Sequence, residues 1–307
     1  MKAIRDAFGD ELMNLGEEMD NLYVVDCDIS ISCKTVEFQN KFPEKHLNVG
    51  IAEQNGAGIS AGLATCGKVP FVSTYAVFGT MRMCEQIRQV ICYPNLNVKI
   101  ACSHGGLTPA NDGASHQCIE DIGIMRTLPN MTVIAPGDYY SARKLIRAAA
   151  SAYGPMYLRF TRDEVPFVYD ENEDFQIGKA QLLREGSDVA IIANGDILSL
   201  AVQACEILGK KGISARLLDM HTVKPLDARA VLDAAESIGA IITVEDHNIF
   251  NGLGSAVCEI IAEFGKGKVS RMGVQDRFGE SAPYMELLEM NRITAQNIAA
   301  EAVKLLK

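Results

Sequence analysis

Short apolar runs alternate with helical patterns along nearly the whole chain, and this alternation constrains the fold more than any other feature. The first helical pattern, over residues 4–15, leads directly into the apolar run 22–25. Short buried-type strands that are separated by helices are typical of parallel sheets with helices on both faces. The sequence therefore predicts an α/β fold. Further strands are expected at 70–73, 97–103, 131–135, 155–160, 188–193, 214–218, 240–245 and 268–273.

The alternation is interrupted by a polar, acidic stretch at 163–178, which contains Pro166 and the run 170–174 (DENED). Such stretches commonly connect domains. We therefore expect two consecutive α/β domains with mainly parallel sheets, one over residues 1–170 and the other over residues 178–307. A chain of 307 residues of which 48% are apolar can bury a core in each domain.

Charge and cysteine content argue against several classes of function. The net charge of -10 disfavours general affinity for nucleic acid or for anionic membranes, so any phosphate recognition depends on local basic residues. The nine cysteines include no C-x-x-C pair, which favours reduced thiols over disulfides or a zinc site. No signal peptide or membrane-spanning run is evident. We expect a cytoplasmic protein.

Residues 48–55 (NVGIAEQN) place one carboxylate, Glu53, in the first turn of a predicted helix rich in Gly and Ala. An acidic residue at this position complements the positive end of the helix dipole, which is one interpretation. The other is an acid that activates thiamine diphosphate by hydrogen-bonding a ring nitrogen of its aminopyrimidine. Residues 48–55 alone leave both interpretations open.

The loop 103–117 follows a buried-type strand and combines two histidines, one aspartate and three glycines. Ligands of α/β proteins bind at the carboxyl ends of strands, where this loop is expected. The spacing of His104 and His116 fits no common zinc pattern, whereas imidazoles near Asp112 suit hydrogen bonds to sugar hydroxyls and proton transfer. The alternative is a mobile surface loop whose glycines form turns.

Isolated aromatic and basic residues supply weaker signals. Tyr75 and Phe78 follow the strand after the Glu53 helix, where they could stack on a planar heterocycle or simply belong to the core. Arg5 and Arg162 suit bidentate capture of a phosphate, but isolated arginines commonly form surface ion pairs. These four residues do not decide the function.

Taken in order, several segments resemble motifs from the C-terminal half of transketolase, and together they span essentially the whole chain. The segment 223–227 is shared across the wider superfamily, whereas 277–283 resembles transketolase in particular. The matching segments are 48–54 (NVGIAEQ), the loop 104–116 with its core 112–117 (DGASHQ), 128–131 (LPNM), 135–138 (APGD), 223–227 (VKPLD) and 277–283 (RFGESAP). The resemblance implies a pyrimidine-binding domain followed by a transketolase C-terminal domain.

The resemblance also implies roles for individual residues around thiamine diphosphate. Glu53 would activate the cofactor, Tyr75 and Phe78 would enclose its aminopyrimidine, and Asp28 would face the thiazolium region. One departure is Met81, where the family commonly carries an aromatic residue. Part of the cofactor pocket is therefore expected to stack less tightly.

A second set of residues is implied to bind the sugar substrates. His104, Asp112 and His116 would contact the hydroxyls around the scissile bond, with both histidines counted as catalytic. The distal phosphate would be held by Arg5, Ser32, His104 and Arg162.

A larger departure concerns the diphosphate. Transketolases hold magnesium and the diphosphate with a Gly-Asp-Gly segment and a downstream Asn in an N-terminal domain, and the Gly-Asp pairs at 9–10, 137–138 and 195–196 lack the following Gly. The resemblance thus implies half an active site without metal ligands. It also implies an N-terminal partner subunit in an α2β2 assembly, which would hold most of the Mg²⁺ coordination.

The implied reaction is transfer of a two-carbon ketol unit from a ketose phosphate to an aldose phosphate, as in the pentose phosphate pathway. The β subunit of a 2-oxo acid dehydrogenase is an alternative, against which the loop 104–116 and the segment 277–283 argue. The sequence is also compatible with a deoxyxylulose-phosphate synthase-like enzyme and with a non-catalytic subunit of the same fold.

Overall fold

Fourteen strands form two large sheets and one small one in the computed structural model, which describes residues 1–307. The strands are β1 (Lys2–Ala3), β2 (Leu22–Asp26), β3 (His46–Asn48), β4 (Val69–Tyr75), β5 (Lys99–Ser103), β6 (Thr132–Ile134), β7 (Met156–Arg159), β8 (Glu164–Val165), β9 (Gln181–Arg184), β10 (Val189–Ala193), β11 (Ala215–Asp219), β12 (Thr222–Lys224), β13 (Ala240–Asn248) and β14 (Lys268–Val274).

Helices connect most of these strands. They are α1 (Ile4–Glu18), α2 (Ser30–Cys33), α3 (Val36–Lys41), α4 (Glu53–Thr65), α5 (Cys84–Gln86), α6 (Asp121–Thr127), α7 (Tyr139–Ser151), α8 (Leu198–Gly209), α9 (Ala228–Ser237), α10 (Leu253–Phe264), α11 (Tyr284–Met290) and α12 (Ala295–Leu305). Two π-helical segments, Phe78–Arg82 and Ile87–Cys92, flank α5, and short 3₁₀ turns occupy Pro43–Lys45, Ala110–Asp112 and Gly195–Ile197.

The first large sheet has seven strands in the order β12-β6-β7-β5-β4-β2-β3. Its neighbours are parallel except for β12, which pairs antiparallel with β6. The side chains of successive strand residues point to opposite faces of the sheet. On β5, Ala101 therefore packs with α1 and α7, while Ile100 and Cys102 pack with α4 and the π-helical segments. Both faces are covered by helices, as parallel sheets require.

The second large sheet has five strands in the order β14-β13-β10-β11-β9, and only β9 runs antiparallel to its neighbour. Val189, Ile191 and Ala193 of β10 face α8 and α12, whereas Ala190 and Ile192 face α9 and α10. The predicted fold class, two α/β units with mainly parallel sheets, is confirmed.

Strand β12 was not predicted, and it crosses from the second half of the chain to the first sheet. Thr222 pairs with Ile134, which adds an edge strand to the first sheet. A three-residue strand carries almost no periodicity, so only its tertiary partner defines it. The short strands β3 and β9 were missed for the same reason, and the division of the chain between residues 170 and 178 stays a prediction.

No helix in the structure has both the length and the apolar character needed to cross a membrane.

Candidate active site

The carboxyl ends of β2, β4 and β5 meet at one edge of the first sheet. The register pairs Asp26 with Ser73 and Tyr75 with Ser103, so the residues that follow these strands become neighbours. Asp28 and His104 lie just beyond two of these strand ends. This edge, with the start of α4 and the loop 103–117, is the candidate active site.

Four rings form one cluster at this edge. The centroids of Tyr75 and Phe78 are 5.8 Å apart with an angle of 22° between the ring planes. Tyr75 stacks on the imidazole of His104 at 3.9 Å, and Phe78 meets the imidazole of His116 edge-on at 5.7 Å. The structure therefore brings together the aromatic pair and the two histidines that the sequence singled out separately.

Glu53 begins α4 and is only 5% exposed. Arg82 donates a hydrogen bond from Nη1 to Glu53 Oε1 over 2.8 Å, and its guanidinium lies 4.0 Å from the ring centroid of Phe78. Arg82 was not predicted as a site residue, although its position four residues after Phe78 in a helical pattern indicates that the two side chains are neighbours. A cavity of about 540 Å³ opens beside this pair, lined by Ile51, Ala52, Glu53, Gln54, Asn55, Met81 and Arg82.

His104 is almost completely buried, at 2% exposure, and its Nδ1 lies 2.7 Å from Ser103 Oγ. Burial, with the positive charges of Arg5 and Arg162 adding to it, lowers the pKa of His104 to about 3. The imidazole is therefore neutral near pH 7, the form that can accept a proton or a hydrogen bond.

Unusual backbone conformations are present at this edge. Asp28 and His104 have φ values of 68° and 63°, and Ala110 in the loop has 54°. Residues other than glycine seldom adopt positive φ, and such strain is frequent at functional sites. Asn48, which was not predicted as a site residue, donates a hydrogen bond from Nδ2 to Asp28 Oδ1 over 2.9 Å.

The predicted phosphate-binding arginines lie near His104, and their positive charges help to lower its pKa. Arg5 donates from Nη1 to the backbone carbonyl of Ser32 over 3.0 Å. Arg162 donates from Nη1 to Asp112 Oδ2 and to the carbonyl of Pro109, each over 3.1 Å. The structure thus gathers the predicted substrate residues, with Asp112 and Arg162 paired to each other.

Comparison with known protein families identifies the family of this chain. The pattern of the transketolase pyrimidine-binding domain matches residues 1–168, and that of the transketolase C-terminal domain matches residues 178–298. The chain belongs to the transketolase family.

Relatives within the transketolase family match nearly the whole chain. A putative transketolase C-terminal section from Methanocaldococcus jannaschii is 44% identical and aligns with 100% of this chain and 97% of its own length. A 6-deoxy-6-sulfo-D-fructose transketolase subunit from a Clostridium species is 38% identical over 97% of this chain and 93% of its own. A solved split gene transketolase, described as an inactive beta4 tetramer, superposes with a TM-score of 0.91 at 44% identity and covers 99% of this chain and 98% of its own.

Transketolases depend on thiamine diphosphate, and the residues at this edge fit the pyrimidine end of that cofactor. Tyr75 and Phe78 offer aromatic surface for a planar ring. The buried carboxylate of Glu53 lies nearby, because Arg82 contacts both Glu53 and Phe78. A buried carboxylate suits a ring nitrogen that carries a proton. No group of three or more His, Cys, Asp or Glu side chains is arranged to hold a metal ion.

Proposed function

We propose that this chain is the C-terminal subunit of a split transketolase, which transfers a two-carbon ketol unit from a ketose phosphate to an aldose phosphate with thiamine diphosphate. The observation that carries the proposal is the buried Glu53 carboxylate beside Tyr75, Phe78 and two histidines at the carboxyl edge of a parallel sheet. Relatives of nearly the same length that are named as C-terminal sections or subunits support it.

In this proposal the chain supplies the pyrimidine half of the cofactor site. Glu53 hydrogen-bonds a ring nitrogen of the aminopyrimidine, Tyr75 and Phe78 enclose that ring, and Asp28 faces the thiazolium region. When bound, the cofactor supplies the electron sink that takes up the electron pair of the breaking carbon–carbon bond.

The sugar half of the proposed mechanism depends on one neutral histidine and on charged side chains around it. Because burial keeps His104 uncharged, its imidazole can accept a hydrogen bond from a sugar hydroxyl, and His116 acts on the neighbouring hydroxyl. Asp112 orients the hydroxyl groups. The distal anion is held by Arg5, Ser32, His104 and Arg162 through charge-assisted hydrogen bonds.

A partner subunit completes the proposed site. It carries the diphosphate-binding domain and most of the Mg²⁺ coordination, in a cytoplasmic α2β2 assembly. The solved relative described as inactive consists of beta subunits alone, and we propose that this chain is likewise inactive without its partner.

The physiological sugar pair is proposed as phosphorylated pentoses of the pentose phosphate pathway. A relative named for a sulfonated fructose favours a second candidate, because guanidinium groups hold a sulfonate as well as a phosphate. Comparing kcat/KM for phosphorylated and sulfonated ketoses identifies the donor.

The decisive experiment measures ketol transfer from xylulose 5-phosphate to ribose 5-phosphate with thiamine diphosphate and Mg²⁺. This chain alone is compared with an equimolar mixture of the chain and a candidate diphosphate-domain subunit. Activity only in the mixture supports the proposal, and activity of the chain alone contradicts the need for a partner.

Pyruvate serves as the control substrate in the same mixture. Its decarboxylation, without ketol transfer, favours the β subunit of a 2-oxo acid dehydrogenase or a deoxyxylulose-phosphate synthase-like enzyme. A stable, cofactor-bound complex without activity towards any of these substrates indicates a non-catalytic subunit.

A further inference from the structure

A buried carboxylate in the second half of the chain binds the loop 103–117, which we call the substrate loop. Asp246, near the end of β13, is 1% exposed. Its Oδ2 accepts a hydrogen bond from the backbone N–H of Leu107 over 2.9 Å. Leu107 lies three residues after His104, so this bond fixes the loop close to the proposed catalytic imidazole.

The loop backbone approaches Asp246 more closely than any side chain would allow. A Cβ at Gly106, whose φ is +66°, would overlap the Asp246 carboxylate. A Cβ at Gly105 would lie 2.7 Å from Arg159 Nε, and Arg159 itself donates from Nη2 to the backbone carbonyl of Asp246 over 2.7 Å. Gly106 therefore allows a close approach between the loop and the second domain, and Gly105 allows the loop to pack on Arg159, which itself binds Asp246.

Further side chains hold Asp246 in place. The hydroxyl oxygen of Tyr284 lies 3.1 Å from Asp246 Oδ2 and within hydrogen-bonding distance of Asp196 Oδ2. Because a phenol donates only one hydrogen, both contacts are hydrogen bonds only when one carboxyl is protonated. Burial raises the pKa of both groups, and the neighbouring Asp196 helps to raise that of Asp246 to about 7, so this pair holds a proton to higher pH than free carboxyls do.

A second contact holds the other end of the loop. Gln117, next to His116, donates from Nε2 to the backbone carbonyl of Glu280 over 2.9 Å. A Cβ at Gly279 would overlap Gln117 Oε1, and Ser281 donates from Oγ to the carbonyl of Asn111. The segment 277–283, which resembles transketolase in particular, therefore packs on the substrate loop.

We propose that Asp246 is a positioning residue for ketol transfer, and that the second domain sets the placement of His104 and His116 through Asp246 and the segment 277–283. The inference rests on the proposed function, because it assigns the two histidines to the sugar substrate. It gives the second domain a part in catalysis although every predicted site residue lies before residue 163.

The test compares Asp246→Ala with Asp246→Asn in the complex with the partner subunit. Alanine removes the acceptor of the Leu107 N–H, whereas the asparagine amide oxygen can replace it. We expect Asp246→Ala to lower kcat/KM for the ketose about 10- to 100-fold, with most of the loss in kcat. Asp246→Asn should recover most of that loss, and the dissociation constant of thiamine diphosphate should change less than about twofold because Asp246 contacts none of the residues proposed to hold the cofactor.

Gly279→Ala provides a test that leaves the buried carboxylates intact. It should displace Gln117 and lower kcat. The control is Gly209→Ala at the end of α8, where the nearest atom to the new Cβ is a side-chain atom 3.4 Å away. This control should leave kcat unchanged. Equal kcat values for wild type, Gly279→Ala and Asp246→Ala overturn the inference.

Hydrogen exchange of the free subunit separates this inference from the proposed function. Asp246→Ala should speed exchange of the Leu107 amide and of its neighbours in the loop, even if the complex lacks ketol-transfer activity. Unchanged exchange overturns the inference whatever the reaction, while absence of ketol transfer in the wild-type complex counts against the proposed function alone.

Discussion

At the scale of single residues, Arg82 contacts both Glu53 and Phe78, the two side chains that are proposed to contact the aminopyrimidine. Its guanidinium hydrogen-bonds the carboxylate and lies over the aromatic ring. The side chain of Arg82 is 49% exposed, so it can move into solvent. In the proposed function, Arg82 therefore competes with the cofactor for Glu53 Oε1 and for the face of Phe78.

Removing this competitor should tighten cofactor binding. A partly exposed ion pair contributes about 0.2–1 kcal/mol, so Arg82→Ala should lower the dissociation constant of thiamine diphosphate by up to about fivefold. Isothermal titration of the assembled complex measures this, with Arg88→Ala, an exposed arginine of the π-helical segment Ile87–Cys92, as a control. Weaker binding by Arg82→Ala alone would show that Arg82 assists the cofactor instead.

Glu53 is expected to matter for the reaction more than for the fold. Glu53→Gln keeps the volume and the start of α4 but replaces the carboxylate with a neutral amide. We expect kcat to fall at least about 100-fold, the size typical of a lost acid–base group. Steady-state kinetics measure the fall, with analytical ultracentrifugation to check assembly, and an active variant argues against the assigned role.

His104 should stay neutral across the physiological range. Since its pKa in the folded state is about 3, below the ordinary value near 6.5, neutral His104 contributes stability that is complete above pH 6.5 and is lost as the pH falls towards 3. Histidine NMR spectra should show no titration of His104 between pH 8 and about pH 4.5. A midpoint near pH 6.5 would contradict the buried, neutral imidazole.

At the scale of elements, Asp138 joins α7 to the chain segment that leads to the second domain. One carboxylate oxygen accepts a hydrogen bond from the N–H of Ser141, and the N–H of Asp138 donates in return to the Ser141 hydroxyl oxygen. The other oxygen accepts from the N–H groups of Val168 and Tyr169, each over 2.9 Å. The segment 135–138 thus caps a helix and binds the segment that follows β8.

Asp138→Ala should therefore destabilise the protein more than loss of a simple helix cap. A cap contributes about 0.5–2 kcal/mol, and an unsatisfied buried N–H costs about 1–3 kcal/mol. We expect the free energy of unfolding in urea to fall by about 2–4 kcal/mol, and Asp138→Asn to cost less because it keeps one acceptor. Equal losses in both variants would show that the charge, not the hydrogen bonds, dominates.

At the scale of the whole molecule, buried carboxyls lie where the two halves of the chain meet. Asp219, at the end of β11, accepts a hydrogen bond from the hydroxyl of Tyr169 over 2.8 Å. Burial, together with the charge of Asp138, raises the pKa of Asp219 to about 8. The folded state therefore retains a proton on Asp219 that the unfolded chain loses near pH 4.

This carboxyl makes stability depend on pH. Because the pKa is raised on folding, its contribution is fully present below about pH 4, decreases as the pH rises and is lost near pH 8. The slope from one proton is at most about 1.4 kcal/mol per pH unit. Urea unfolding at several pH values should give a shallower decline for Asp219→Asn than for wild type, and parallel profiles would contradict the assignment.

Local sequence was sufficient for the parts of the fold that depend on periodicity. The main parallel strands and Glu53 at the start of α4 follow from patterns of a few neighbouring residues. Strand β12 and the pairing of Asp112 with Arg162 do not, because each depends on residues far apart in the chain. Strand β12 exists only through its pairing with β6.

The sequence by itself determined the fold class and the family and predicted the candidate site residues, since these depend on short motifs and on hydrophobic spacing. Only the tertiary structure decided that Tyr75, Phe78 and the two histidines form one cluster, that Arg82 pairs with Glu53, and that Asp246 accepts a hydrogen bond from the loop 103–117. The physical reason is that hydrogen bonds and ring contacts act over a few ångströms. Parallel strands and the packing of two sheets bring distant residues within that range.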